Sequence, residues 1–234
     1  MNKSFLQGIR HGLPIALGYL SVSFAFGMKA LSAGLTVLQA VLISMTNLTS
    51  AGQVAALPLM AAGAPLAEMA LTQLTINLRY ALMSLSLSRK LDGSMGTLQR
   101  MIFSFANTDE IFAVASSQPG KVGKHYLYGL ILTPWFGWTL GTLLGAAAGT
   151  LLPAFVRSAL GIALYGMFLA IILPPARKWK PIRNVIAMAV LLSLCFRYIP
   201  GLNTVSPGFA IILCAVPAAA LGAALYPARE EEQE

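Results

Sequence analysis

The chain has 234 residues, 57% of them hydrophobic and only 10% charged, with a mean hydropathy of +0.73. A soluble domain carries about 25% charged residues, so this chain cannot cover a surface in water, and its hydrophobicity also excludes disorder. The net charge of +8 does not indicate nucleic-acid binding: the cations lie mostly between apolar runs, where they orient a membrane protein.

The fold class that remains is all-α and polytopic, with about six to eight membrane segments including a broken or re-entrant one. Residues 1–228 read as a single transmembrane domain with candidate halves 1–120 and 121–228, followed by an acidic, disordered tail over 229–234. The N-terminal run, with Gly12, Pro14 and Gly18, continues to Met28 without a clear cleavage site, so it reads as a retained membrane helix and not a signal peptide. Ala30 to Ala67 carries no charge and is too long for one crossing. Leu66 to Ser88 is apolar but contains Glu68, Asn77 and Arg79. Leu98 to Ser117 has a polar centre, Asn107-Thr108-Asp109-Glu110, and fits a short membrane segment, a re-entrant element or an interfacial helix. Apolar segments follow over Tyr126–Val156, Ser158–Pro174, Asn184–Ile199 and Pro207–Tyr226.

Three basic groups test the topology: Lys3 with Arg10; Arg89, Lys90, Arg100, Lys121 and Lys124; and Arg177, Lys178, Lys180 and Arg183. The positive-inside rule asks for all of them on the cytoplasmic side. That holds if Thr36 to Ala64 enters and leaves on one face, which also places the N-terminus in the cytoplasm. A faint echo, His11-Gly12-Leu13-Pro14 with Gly18 and Gly27 against Thr133-Pro134 with Gly137 and Gly145, suggests an internal repeat, a candidate for the inverted kind common in transporters.

The stretch Ser44 to Pro58 holds six residues before Val54 with hydrogen-bonding side chains, among them Asn47, Ser50 and Gln53, and Gly52 and Pro58 weaken its helix. An unwound backbone at membrane depth must find partners, and a zwitterionic ligand is one. On the next segment Gln73, Asn77, Tyr80, Ser84 and Ser88 share one helix face, and Glu68, Thr72, Thr75 and Arg79 form a second stripe. Arg79 is the costliest of these, about 2.5 kcal/mol or more if central, and needs a carboxylate or carbonyls around it. Asp109 and Glu110 are candidates for its counter-ion or for carrying a proton. Gly137, Gly141, Gly145 and Gly149 make a flat ladder for helix packing and a plausible face for a partner subunit. Trp135, Trp138, Trp179 and Tyr226 suit the interfacial belt, and Pro174-Pro175 and Pro227 suit helix ends. His11, His125, Cys195 and Cys214 form no metal or catalytic motif, and no nucleotide-binding loop occurs, so neither a cofactor nor a metal is expected.

Gly12-Leu-Pro14-Ile-Ala-Leu-Gly18 with Gly27, Ser44 followed by Ser50-Ala-Gly52-Gln53, Asn77-Leu-Arg79-Tyr80 and Thr108-Asp109-Glu110 together resemble the AzlC family, the large subunit of bacterial branched-chain amino-acid exporters. The later part of the chain matches mainly in hydropathy and length. The resemblance implies export of apolar amino acids across the inner membrane, driven by an ion or proton gradient, with a small hydrophobic partner of the AzlD type. On that reading Asn47, Ser50, Gly52, Gln53 and Asn77 line the substrate site, and Arg79 holds the substrate carboxylate or a protein carboxylate. A carrier or channel for another small solute, a membrane enzyme and a non-transporting assembly subunit are the competing readings.

Overall fold

A computed structural model describes residues 3–93 and 95–227. The acidic tail expected at 229–234 lies outside the described residues. Those residues form ten α-helices: α1 (Lys3–Ser32), α2 (Val37–Thr46), α3 (Ala51–Ala61), α4 (Leu66–Ser88), α5 (Thr97–Phe105), α6 (Asp109–Ser117), α7 (Lys124–Ala148), α8 (Ala154–Lys178), α9 (Lys180–Tyr198) and α10 (Pro207–Leu225). Among them α1, α7, α9 and α10 are long and apolar enough to cross a membrane. The chain divides into two compact units, residues up to 61 with 76–164, and 62–75 with the remainder. Each is described by itself.

The first unit is built on α1 and α7, which lie side by side and run in the same direction. Their contact is made by small residues. A Cβ at Gly12 would strike the backbone oxygen of Leu130 at 2.9 Å, one at Gly137 the backbone oxygen of Ala16 at 2.7 Å, and one at Gly145 the carbonyl carbon of Phe24 at 2.7 Å. Each step along α1 is matched by a step in the same sense along α7, so the two are parallel from Gly8 against Gly129 to Gly27 against Ala146. Lipid gives apolar helices no hydrophobic reason to associate, so close backbone approach through dispersion takes that role. The sequence echo therefore relates two neighbouring helices of common direction. The glycine ladder is occupied by α1, and its expected use as a partner-docking face does not hold.

Two helical hairpins complete this unit, one from each end of the α1–α7 pair. From the end where α1 finishes, α2 descends and α3 returns: Ala40 and Leu57 are buried in one cluster with Phe26, Ala30 and Ala146. From the opposite end, α5 and α6 do the same against Leu87, Leu91, Val122, Tyr126 and Leu127. The helices of the hairpins have 10, 11, 9 and 9 residues. At 1.5 Å per residue each spans about 15 Å, half a hydrocarbon core. The broken helical hairpin that a re-entrant segment between Thr36 and Ala64 requires is thus present, and the Leu98–Ser117 stretch forms a second hairpin. Thr36 starts α2 with a reciprocal capping box to Gln39, and Thr108 caps α6 through the Ile111 amide.

The base of the second hairpin gathers cations. Leu91 pairs with Val122 in an isolated bridge, Lys121 donates to the Arg89 carbonyl at 2.6 Å, and Lys90 donates to that of Ser116. Ser4, Gln7, Asp92, Gln118, Lys121 and His125 line a cavity of about 420 Å³ at this end. The first two basic groups of the sequence therefore share one end of the unit.

In the second unit α9 and α10 pack antiparallel: the Asn184 amide donates to the Tyr226 hydroxyl at 2.6 Å, and Gly222 accommodates Val185. α9 buries no residue, and Leu191, Leu194 and Val216 are exposed, a surface suited to lipid. α8 runs through Pro174 and Pro175 and stops at Lys178. The prolines lie near its end and do not stop it outright: their missing amides remove two bonds to the preceding turn, and the helix runs on to Lys178.

Candidate functional site

The two hairpin turns meet at mid-length of the α1–α7 pair, around Tyr19 and Trp138, whose rings are 5.2 Å apart and edge to face. Leu48, from the first turn, and Ala106, from the second, are buried in the same cluster as these two rings.

The first turn, residues 47–50, breaks the helix because Asn47 and Ser50 leave it: Asn47 is extended, and Ser50 has φ of +35°. The carbonyls freed at the end of α2 need donors. Trp135 supplies one, its indole donating to the Met45 carbonyl at 2.9 Å. Trp138 is 1% exposed. Neither indole is therefore an interfacial anchor as the sequence suggests; both serve the waist. Asn47 accepts from the Thr49 hydroxyl at 2.7 Å. Below the turn Ser44 lies 2.7 Å from the Thr142 hydroxyl and accepts from the Gln53 amide at 3.2 Å. Gln53 is 1% exposed, and its Oε1 has no partner among the described residues. Gly52 stands in the first turn of α3, which contains no acid, so the positive end of that half-helix has no carboxylate from its own first turn.

The second turn is acidic. Asp109 and Glu110 open α6, where the helix dipole favours them. Arg79, from α4, pairs with Asp109 at 2.6 Å, with side chains 40% and 31% exposed. Arg79 also donates to the Tyr80 hydroxyl at 3.0 Å. The Asn107 amide donates to Ser84 at 3.1 Å. Tyr19 Oη lies 2.5 Å from Glu110 Oε2 and 2.7 Å from Thr108 Oγ1. A phenol has one proton and an ionised carboxylate only accepts, so Tyr19 donates to Glu110 and receives the Thr108 hydroxyl.

Arg79 is thus brought to a protein carboxylate, and Asn77 and Gln73 lie on the same helix within two turns of it. Gln53, Gly52, Asn47 and Ser50 gather at the other turn. The waist is closed in this structure: Ser44, Gln53 and Thr142 are packed without exposure above 1%, where the sequence leads one to expect an open polar cavity. Gly137, Gly141 and Gly145 do pack helices, and Gly149 meets Met28. Tyr19, Thr142 and Trp135 were not legible as site residues, since each sits singly in an apolar, glycine-rich helix. No group of three His, Cys, Asp or Glu side chains able to hold a metal occurs among the described residues.

Comparison with known proteins places these residues in context. A match to the AzlC protein family covers residues 14–152, which include both hairpins, all of α7 and α1 from Pro14 onward. The chain is 30% identical to the inner membrane protein YgaZ of Escherichia coli over 73% of its own length and 72% of the relative's. It is also 30% identical to an uncharacterized membrane protein of Archaeoglobus fulgidus over 73% of its length and 75% of the relative's. A Helicobacter pylori membrane protein is 30% identical over 63% of the chain and 65% of the relative. No solved structure matches.

Proposed function

The chain belongs to the AzlC family, and on that premise we propose that it is the carrier subunit of a secondary transporter that exports branched-chain or similar apolar amino acids across the cytoplasmic membrane. The observation that supports this most is the meeting, at half depth, of two opposed hairpins with unlike turns. One turn offers a half-helix N-terminus with no acid of its own, suited to a carboxylate. The other offers two carboxylates, suited to an ammonium. Leu48, Tyr19 and Trp138 lie between them, suited to an apolar side chain. A zwitterion with an aliphatic side chain has this order of groups.

In this reading Gly52, Gln53, Ser50 and Asn47 receive the substrate with Asn77, and Arg79 holds Asp109 in place. Glu110 faces the ammonium group. The end that gathers Lys90, Lys121 and Lys124 is cytoplasmic, which puts the N-terminus there too. A small hydrophobic subunit of the AzlD type completes the exporter, and an ion or proton gradient drives it.

The test is counterflow in proteoliposomes. Vesicles holding the chain, with and without a small hydrophobic partner, and preloaded with unlabelled leucine should take up labelled leucine, valine, isoleucine or methionine. They should not take up aspartate or lysine, and Arg79→Gln should abolish the exchange. Exchange of charged amino acids at equal rates, or full exchange by Arg79→Gln, would remove the site assignment.

A further inference from the structure

Glu68, in the first turn of α4, is buried to 4% exposure within the second unit. The Ser206 hydroxyl donates to its Oε1 at 2.6 Å and the Gly208 amide at 3.0 Å. Ser206 stands at the N-cap of α10 but makes no capping bond with its own helix. Its hydroxyl is turned to the carboxylate instead. A second polar side chain points to the same spot. Thr72, one helical turn after Glu68, is 0% exposed, and its Oγ1 has no partner among the described residues. A Cβ added at Gly208 would lie 2.6 Å from Thr72 Oγ1 and 2.6 Å from Glu68 Oε1. Only a glycine lets both oxygens close on the start of α10.

We propose that Glu68 is a proton-binding site and the carboxyl that couples a proton gradient to transport. The coupling role rests on the carrier reading above; the proton site does not. The two protonation states each find a complement here. The ionised carboxylate receives the Ser206 hydroxyl, the Gly208 amide and the positive end of α10. The protonated acid gains an O–H that needs an acceptor, and Thr72 Oγ1 is a buried acceptor that no other group uses. A metal ion is a poorer occupant, because the backbone amide and the helix N-terminus already present positive charge to the carboxylate. The two helices at the site bring no other charged side chain to it. The remaining ionisable residues of α4 are Arg79 and Tyr80, three turns away, and the only one within α10 is Cys214. Arg197 and Tyr198, which close α9, are both exposed. Asp109 and Glu110 are engaged with Arg79 and Tyr19, which leaves Glu68 as the buried acid without a cationic or phenolic partner among the described residues.

The proton site is tested by pH-difference infrared spectroscopy of the full chain in lipid, with no transport required. Acidification should raise a protonated-carboxyl band that is lost in Glu68→Gln and kept in the loop variant Asp92→Asn. Thr72→Val, which keeps Glu68 and the size of the side chain, should move that band to higher frequency, because the protonated carboxyl loses its acceptor. A band undiminished in Glu68→Gln, or a Thr72→Val band at the frequency of the unmodified chain, overturns the site. In vesicles, Glu68→Gln should lose leucine accumulation driven by a pH gradient while keeping counterflow. Accumulation that survives in Glu68→Gln overturns the coupling role. Absence of amino-acid exchange by the unmodified chain overturns the carrier reading instead and leaves the infrared result standing.

Discussion

Replacing Gly145 by alanine adds one methyl group to the seam between α1 and α7. That methyl would fall 2.7 Å from the Phe24 carbonyl carbon and 2.8 Å from its Cα. Ordinary carbon contacts are about 3.5–4.0 Å, so the two helices must part locally by about 0.7–1.3 Å. These atoms and the Phe24 carbonyl oxygen, which lies nearer still, are all backbone, so no rotamer change relieves them. Such overpacking costs about 1–3 kcal/mol. Thr142, nearly one turn before Gly145 on α7, lies 2.7 Å from Ser44 of α2, and a local shift of α7 that stretches that bond costs roughly a further 0.6–1 kcal/mol. Alanine returns up to about 1 kcal/mol through helix propensity. The net expectation is destabilisation by about 1–3 kcal/mol. Gly18→Ala is the matched control, because nothing lies within 4 Å of its added methyl; it should be neutral or slightly stabilising. Unfolding of the purified protein in detergent or bicelles, followed by steric trapping or thermal melting, measures both. If Gly145→Ala and Gly18→Ala are equally stable, α1 and α7 do not pack as described.

Three further outcomes follow from the waist and the ends of the first unit. Arg79→Gln and Asp109→Asn should each abolish exchange, while the reversed pair Arg79→Asp with Asp109→Arg restores part of it. With side chains 40% and 31% exposed, the coupling free energy from a stability double-mutant cycle should be about 0.5–1 kcal/mol. Tyr19→Phe removes the phenol 2.5 Å from Glu110; a bond to a charged acceptor is worth about 1.5–3 kcal/mol, to be read as a lower unfolding midpoint. In a chain freed of Cys195 and Cys214, cysteines at the exposed positions Ser32 and Lys121 should react with an impermeant maleimide from opposite faces of the membrane, Lys121→Cys from the cytoplasm. Labelling of both from one face would refute the parallel, full-length crossing of α1 and α7.

Much of this architecture is written locally in the chain. The first hairpin is legible because Thr46-Asn47, Thr49-Ser50 and Gly52 interrupt an apolar run too long for one crossing and too polar at its centre to pass through lipid. The second is only half legible. Asn107-Thr108 marks a break, but a short amphipathic stretch beside basic loops reads equally well as an interfacial helix, and only the burial of Ala106, Ile111 and Ala115 distinguishes the two. The pairing of Arg79 with Asp109 follows from scarcity, since a membrane cation needs an acid and few acids are available. What the residues do not encode is which surfaces face each other. The glycine ladder announces a close contact without naming α1 as its partner. Trp135 and Trp138 carry the same composition signal as interfacial anchors, and only the Met45 carbonyl and the Tyr19 ring reassign them. Glu68 is visible as an acid at the start of a helix, yet Ser206 and Gly208 stand 138 and 140 positions away, so its setting depends wholly on tertiary structure.

The hairpins reach only half way, and this has a mechanical consequence. Each packs along its own half of the α1–α7 pair, one in the cluster of Phe26, Ala30 and Ala146 and the other in that of Tyr126 and Leu127. Under the carrier reading, one hairpin can shift by the length of a single side chain while the other stays packed, with the close glycine contact between α1 and α7 standing still. If the chain is the carrier proposed above, it needs no large rocking motion to admit and release its cargo; moving two short hairpins in turn suffices.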